Sequence, residues 1–194
     1  MKNGPLTSRF EEAFCLASRL HATQKRKGTE IPYIAHLMSV AALVIEDGGD
    51  EDEAIAGLLH DAVEDQGGRE TLEEICRRFG ERVAGIVYGC TDAETLPKPP
   101  WLERKKRYVD HIRIAPPEVR RVSSADKLHN ARAILADFRH EGNRLWERFT
   151  GKRDGTLWYY RALVQAFQAA GSTPIVEELD RVVSELERLV AESK

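Results

Sequence analysis

DEDEAIAGLLHDAVEDQGG, Asp50 to Gly68, reads as one helix with both ends marked. Asp50 with Glu53 forms a capping box, the acids of Asp50–Glu53 sit where the positive end of the helix dipole favours them, and Gly67 with Gly68 supplies a stop. The far end breaks the same rule. Asp61, Glu64 and Asp65 fall in the last expected turns, where the dipole disfavours carboxylates, and Asp61 shares a face with Glu64 and Asp65. Like charges at that spacing repel by a few tenths of a kcal/mol per pair. A cation should offset this, either Lys or Arg from another segment or a bound divalent metal. His60, next to Asp61, turns the balance toward a metal, because imidazole plus carboxylate suits Mn²⁺, Fe²⁺ or Zn²⁺.

Outward from this stretch the pattern stays helical, and the expected fold is all-α. Ser8 with Glu11 reads as a capping box ahead of a helix whose Phe10, Phe14, Leu16, Ala17 and Leu20 mark an apolar face. The basic loop KRKGTEIPY follows. A second helix is expected over about Ile34 to Ile45, ending near Gly48 and Gly49, and Thr71 with Glu74 opens another that Gly80 closes. Further helices are expected over about Glu81–Thr91, Trp101–Ile114, Glu118–Phe138, Thr156–Ala170 and Pro174–Glu192, the last with Thr173 as its cap. That makes roughly 8–10 helices in a single domain spanning 1–194, with a C-terminal packing helix at about 174–192. The stripe of Ile175, Leu179, Val182, Val183, Leu186, Leu189 and Val190 suits burial in the core or against a partner subunit.

Composition narrows the function classes. A length of 194 residues suits one domain, and a net charge of -3 exerts no global pull on nucleic acid or anionic membrane. The N-terminal residues lack the apolar core of a signal sequence, and MSVAALVI (Met38 to Ile45) is too short to span a bilayer, so the cytoplasm is the expected compartment. The 3 cysteines form no CxxC pair and sit beside apolar residues, which predicts buried thiols rather than disulfides or a zinc cage.

Two further residues extend the metal reading. His36 stands near the start of the second helix, which must run back antiparallel to the third if the short GGD connection joins them, so it should face the end that carries His60. Asp126, within SSADKLHNARAIL, lies beside a face expected to be buried, and a buried carboxylate needs a partner or a metal. Taken alone, a buried histidine such as His36 is more often a hydrogen-bonded core residue, Asp126 reads equally as a buried salt bridge, and the acids of the third helix as a solvated end. The four together favour a metal site.

His36, His60, Asp61 and Asp126, as H…HD…D, resemble the motif of the HD superfamily of metal-dependent phosphohydrolases. HATQKRKGTEIPYIAHLMSVA, LLHDAVED and ADKLHNAR are similar to segments of Rel/Spo alarmone hydrolases, and TDAETLPKPPWLERKKRY to a stretch of their small single-domain members. The resemblance implies an HD-domain helical bundle in which His36, His60, Asp61 and Asp126 hold one divalent ion, Mn²⁺ in that family. It implies that Glu64 and Asp65 position or activate the attacking water. Arg26 and Lys27 would lie beside substrate phosphates, Asn130 would help hold the nucleotide, and Lys98 is a further candidate contact. The implied reaction removes the 3′ pyrophosphate of (p)ppGpp, giving GDP or GTP.

The chemistry of the residues supports these roles without requiring that substrate: a divalent ion, a carboxylate to steer water and cations for the remaining phosphate oxygens suffice for many phosphoesters. Tyr33, Trp158, Tyr159 or Tyr160 could stack on a base or simply pack. Leu37 stands where the family pattern has proline, Gln66 where it has threonine, and GTEIPY carries an extra residue. Action on another nucleotide or phosphorylated cofactor such as NADPH therefore stays open, as does a nucleotide-binding sensor without turnover. The expected partner is a small nucleotide, not a nucleic acid polymer or a membrane.

Overall fold

The computed structural model describes residues 6–92 and 99–193, and its architecture is all-α, as expected. Among the described residues there are ten α-helices and a 3₁₀ segment at Gly142–Arg148, and the sole strand-like feature is an isolated antiparallel bridge between Lys25 and Pro32. The chain divides into two compact units, Met1–Lys98 with Pro116–Ala125 and Pro99–Ala115 with Asp126–Lys194. No helix among the described residues is long and apolar enough to cross a membrane.

The first unit contains α1 (Ser8–Leu20), α2 (Ile34–Glu46), α3 (Glu51–Leu59), α4 (Ala62–Asp65), α5 (Gly68–Phe79) and α6 (Glu81–Cys90). Its centre is α3, buried from Glu53 to Leu59 and packed against α1, α2 and α6. The Asp50–Glu53 capping box forms in full. A Cβ on Gly57 would sit 3.1 Å from Ala41 Cα, so α2 and α3 approach at backbone contact there. Val44 lies under Gly49 at one end of this pair and His36 meets His60 at the other, which is the antiparallel arrangement expected from the short connection.

Three local expectations are corrected. The N-cap of α1 is Thr7, whose hydroxyl accepts from Arg9 N–H at 3.2 Å, rather than Ser8. Helix α5 begins at Gly68, with Gly67 at φ 125° before it; Thr71 lies inside the helix and donates its hydroxyl to the Gln66 carbonyl at 2.7 Å. The third correction bears on function. The helix capped by Asp50 does not run through to Gly67 but stops at Leu59, and after a turn at His60 and Asp61 the chain starts the short α4. The cause is local: His60 Nδ1 bonds the Gly57 carbonyl at 2.8 Å, competing with the backbone N–H that would continue the helix.

The second unit holds α7 (Trp101–Ile114), α9 (Lys152–Ala170) and α10 (Pro174–Glu192), and α8 (Pro117–Glu141) is one continuous helix whose residues fall in both units. Helix α9 packs on α7 and α10. The α10 stripe is core: Ile175, Val176, Leu179, Val182, Val183 and Leu186 are buried. Thr173 occupies the cap position in extended conformation, with Pro174 in the first turn, but makes no side-chain capping bond. The cysteines are free, but none of them is buried, contrary to expectation. Cys15 is exposed and Cys76 and Cys90 are half-buried, because α1 turns Ala13, Leu16 and Ala17 inward and leaves position 15 outside.

Candidate metal centre and active site

Helix α2 carries His36 and the turn after α3 carries His60, both buried to within 2% of full burial, and their rings meet edge-to-face with centroids 5.2 Å apart. The Gly57 carbonyl occupies His60 Nδ1, which fixes the ring and turns Nε2 the other way. That Nε2 lies 3.0 Å from Asp61 Oδ2, and His36 Nε2 lies 3.6 Å from the same oxygen. Tyr33 donates its hydroxyl to Asp61 Oδ2 at 2.6 Å. Two imidazole nitrogens and a carboxylate oxygen thus converge, the donor set that suits a first-row divalent ion.

Asp126 is buried in α8. Its carboxylate accepts hydrogen bonds from Asn130, one turn further along, and from Lys127. Lys127 is held charged: burial alone would lower its pKa, but Asp126, with the phenols of Tyr108 and Tyr159, outweighs that and raises it well above the ordinary value. Its ammonium lies 4.9 Å from the centre of the Tyr108 ring. In the first unit His36 and His60 each offer an imidazole nitrogen, and in the second unit Asp126 offers a buried carboxylate, the residue types a metal site uses. The donor chemistry fits a divalent metal, with Asp61 beside the two histidines.

The two acids beyond Asp61 fall on α4. The Asp92 backbone N–H donates to Glu64 Oε2 at 3.3 Å, and Gln24 Nε2 donates to Asp65 Oδ2 at 2.8 Å. Because α4 is a separate helix of a single turn, Glu64 and Asp65 do not sit in the last turn of the helix that starts at Glu51. Crowding remains. Desolvation pushes the Asp65 carboxyl above the usual carboxylate range, the charges of Asp61 and Glu64 push it further, and the bond from Gln24 opposes them.

The basic loop is closed by Arg26 N–H to the Ile31 carbonyl at 2.8 Å and Tyr33 N–H to the Gln24 carbonyl at 2.9 Å. Arg26 lies 5.8 Å from the centre of the Tyr33 ring, and Lys27 is exposed. Tyr33 itself stacks on His21 and bonds Asp61, so it packs beneath the acids. In the second unit, Tyr159 and Tyr160 are buried, Trp158 is 37% exposed, and Trp101 meets Trp158 and Tyr159 edge-on. Lys98 lies outside the described residues. Sequence reasoning passed over His21, Gln24 and Lys127. The first two stood in the quoted HATQ segment, and Lys127 follows Asp126 directly.

The HD domain family matches residues 13–157, and the chain belongs to that family. Within it, the chain is similar to guanosine-3′,5′-bis(diphosphate) 3′-pyrophosphohydrolase MESH1. It is 42% identical to the Xenopus tropicalis protein over 126 residues, covering 63% of this chain and 68% of that protein. It is 39% identical to the Homo sapiens protein over 134 residues, covering 68% and 72%. Among solved structures, one described as a metazoan ortholog of SpoT that hydrolyses ppGpp superposes with a TM-score of 0.78 at 26% identity, covering 97% of this chain and 99% of that one. A Listeria monocytogenes EGD-e structure superposes with a TM-score of 0.70 at 30% identity, covering 79% and 99%.

Proposed function

We propose that the protein is a Mn²⁺-dependent hydrolase that removes the 3′ pyrophosphate of (p)ppGpp, leaving GDP or GTP. The observation that carries this reading is the convergence of two buried imidazoles on Asp61, with two acids one turn beyond, in a chain similar to proteins named for that reaction. In this reading His36, His60, Asp61 and Asp126 are the ligands. A divalent ion bound there would neutralise charge on the attacked phosphoryl group and lower the pKa of water.

The chain's own residues do the rest. Hydrolysis adds the hydroxyl of one water to the phosphorus and leaves the 3′ oxygen protonated, so one proton must leave the water and one must reach the nucleoside. In this reading Glu64 and Asp65 take the first on a carboxylate oxygen, and the raised pKa of Asp65, which lets it hold a proton more readily than an ordinary aspartate, supports that role. Arg26 and Lys27 offer cations to the pyrophosphate, and Asn130 and Lys98 are the further substrate contacts of this reading. Lys127 and Asn130 hold Asp126 in one orientation.

The test couples metal analysis of the purified protein to turnover of ppGpp, NADPH and nucleoside mono- and triphosphates with added Mn²⁺. Pyrophosphate release from ppGpp is the expected result, and its absence in metal-loaded protein would sink the substrate assignment. A second reading, hydrolysis of a different phosphoester, draws on Gln66, which replaces the family's threonine and reaches into the acid cluster through Gln24. Faster turnover of another member of the panel would establish it.

A further inference from the structure

Gln24, Gln66 and His21 meet at one point. Gln24 Nε2 donates to Asp65 Oδ2 at 2.8 Å, while its Oε1 faces Gln66 Nε2 at 2.6 Å and His21 Nδ1 at 2.7 Å. An ionised carboxylate only accepts hydrogen bonds, so the atom of Gln24 that faces Asp65 must be its amide nitrogen. Its oxygen then has to meet donors on the other side. Gln66 is one, and His21 is the other in the tautomer that carries its proton on Nδ1.

Both outer donors are themselves anchored. The His21 ring is 2% exposed and stacks on Tyr33 at 5.2 Å and 20°. Its Nε2 has no hydrogen-bond partner among the described residues, so the ring's polar contact is the one that Nδ1 makes to Gln24. Gln66 is held through its backbone, its N–H donating to the Ala62 carbonyl at 2.9 Å and its carbonyl accepting from the Thr71 hydroxyl. Asp65, by contrast, is an exposed residue at the end of a four-residue helix, where a carboxylate has several accessible rotamers. A glutamine amide fixed at both ends selects one of them.

We propose that Gln24 is a positioning residue for Asp65, and that Gln66 and His21 act through Gln24 by locking its amide so that Nε2 faces the carboxylate. This rests on the reading of Asp65 as a group that handles the attacking water. Gln66, a departure from the family pattern, thereby has a role: its side-chain amide supplies a donor at the point where Gln24 needs one. Replacing it by glutamate keeps the shape but turns donor into acceptor, which favours a flipped Gln24 that sets its oxygen against Asp65.

Steady-state turnover of ppGpp with saturating Mn²⁺, for the wild type and single and double variants, tests the chain of contacts. Gln24→Ala should lower kcat by about tenfold or more with KM within about twofold, the split expected when a group acts on the chemical step rather than on binding. Gln66→Glu should cost more than Gln66→Ala. In the Gln24→Ala background, either change at Gln66 should alter kcat by less than about twofold, because its route to Asp65 is gone. A second readout is independent of turnover: in metal-free protein, the side-chain carboxyl ¹³C resonance of Asp65 should move in both Gln24→Ala and Gln66→Ala. A rise in KM alone, equal effects of Gln66 changes in both backgrounds, or an unmoved Asp65 resonance would overturn the inference. A wild type silent on ppGpp counts against the substrate reading alone, since the Asp65 resonance still decides whether the clamp exists.

Discussion

Acidic side chains crowd two places in this molecule and are treated in opposite ways. Along α9 and α10, Arg161 bonds Asp180, Glu187 and the Ser184 hydroxyl, Arg181 bonds Glu178, and Arg188 bonds Glu185 and Glu192. The arginine bonds hold Glu178, Asp180 and Glu185 below the usual carboxylate range. Around α4, Asp65 is met by a neutral glutamine and two further acids, and its carboxyl is pushed up. Where the chain supplies its own guanidinium groups, acids knit a surface together. Where acids gather beside two buried imidazoles, burial and mutual repulsion act on Asp65 instead.

The hardest blow to this contrast comes from the imidazole side. His60→Ala and Asp61→Ala should each lower hydrolysis by at least about a thousandfold and remove the bound metal, as read by elemental analysis of the purified variants. A variant that loses its metal but keeps its rate would show that the two regions do not differ in the way described. Next in size are Glu64→Gln and Asp65→Asn, each expected to cost about a hundredfold in kcat while the metal content stays near that of the wild type.

Arg161→Ala probes the other region. It should leave turnover unchanged and lower stability by about 1–2 kcal/mol, seen as a fall of several degrees in the melting temperature. The deficit has a pH signature. Asp180 has a folded-state pKa below its unfolded value of 3.8, so its contribution is complete above that value and disappears as pH falls through the lower one. The gap between wild type and Arg161→Ala should therefore be widest at neutral pH and shrink below about pH 4. Loss of activity in this variant would blur the comparison.

The smallest effect runs in the opposite direction. Asp65 has a raised folded-state pKa, so the cost of ionising it in the fold sets in as pH rises above the unfolded value of 3.8 and is complete above the raised one. In metal-free protein at neutral pH, Asp65→Asn should raise the melting temperature by about 1–2 °C, measured by calorimetry, while abolishing most activity. A fall instead would mean that the bond from Gln24 outweighs desolvation and repulsion.

Much of this was legible in the chain before any coordinates. Helical periodicity and terminal residues placed α7 and α10 at their observed bounds and α2 within a residue at its end. The meeting of His36 and His60 followed from the brevity of GGD, since a short connection leaves few ways to lay one helix beside the next. The break after Leu59 was not legible, because periodicity continues across it; it depends on a histidine side chain taking a carbonyl from the backbone ladder. The clamp on Asp65 was hidden for another reason. Gln24 and Gln66 are far apart in sequence, both polar and half-buried, and nothing in a local pattern pairs a loop glutamine with the residue after a helix.

The backbone contact between Gly57 and Ala41 bears on which ion the centre tolerates. His36 rides on α2, and His60, just past the end of α3, is tied back to it by the Gly57 carbonyl, so the spacing of the two imidazoles follows from the packing of two touching helices. Asp61, in a turn and partly exposed, has the looser tether. Exchange of one first-row divalent cation for another should therefore be absorbed by the oxygen donors, leaving the two imidazoles as the rigid jaw of an adjustable wrench.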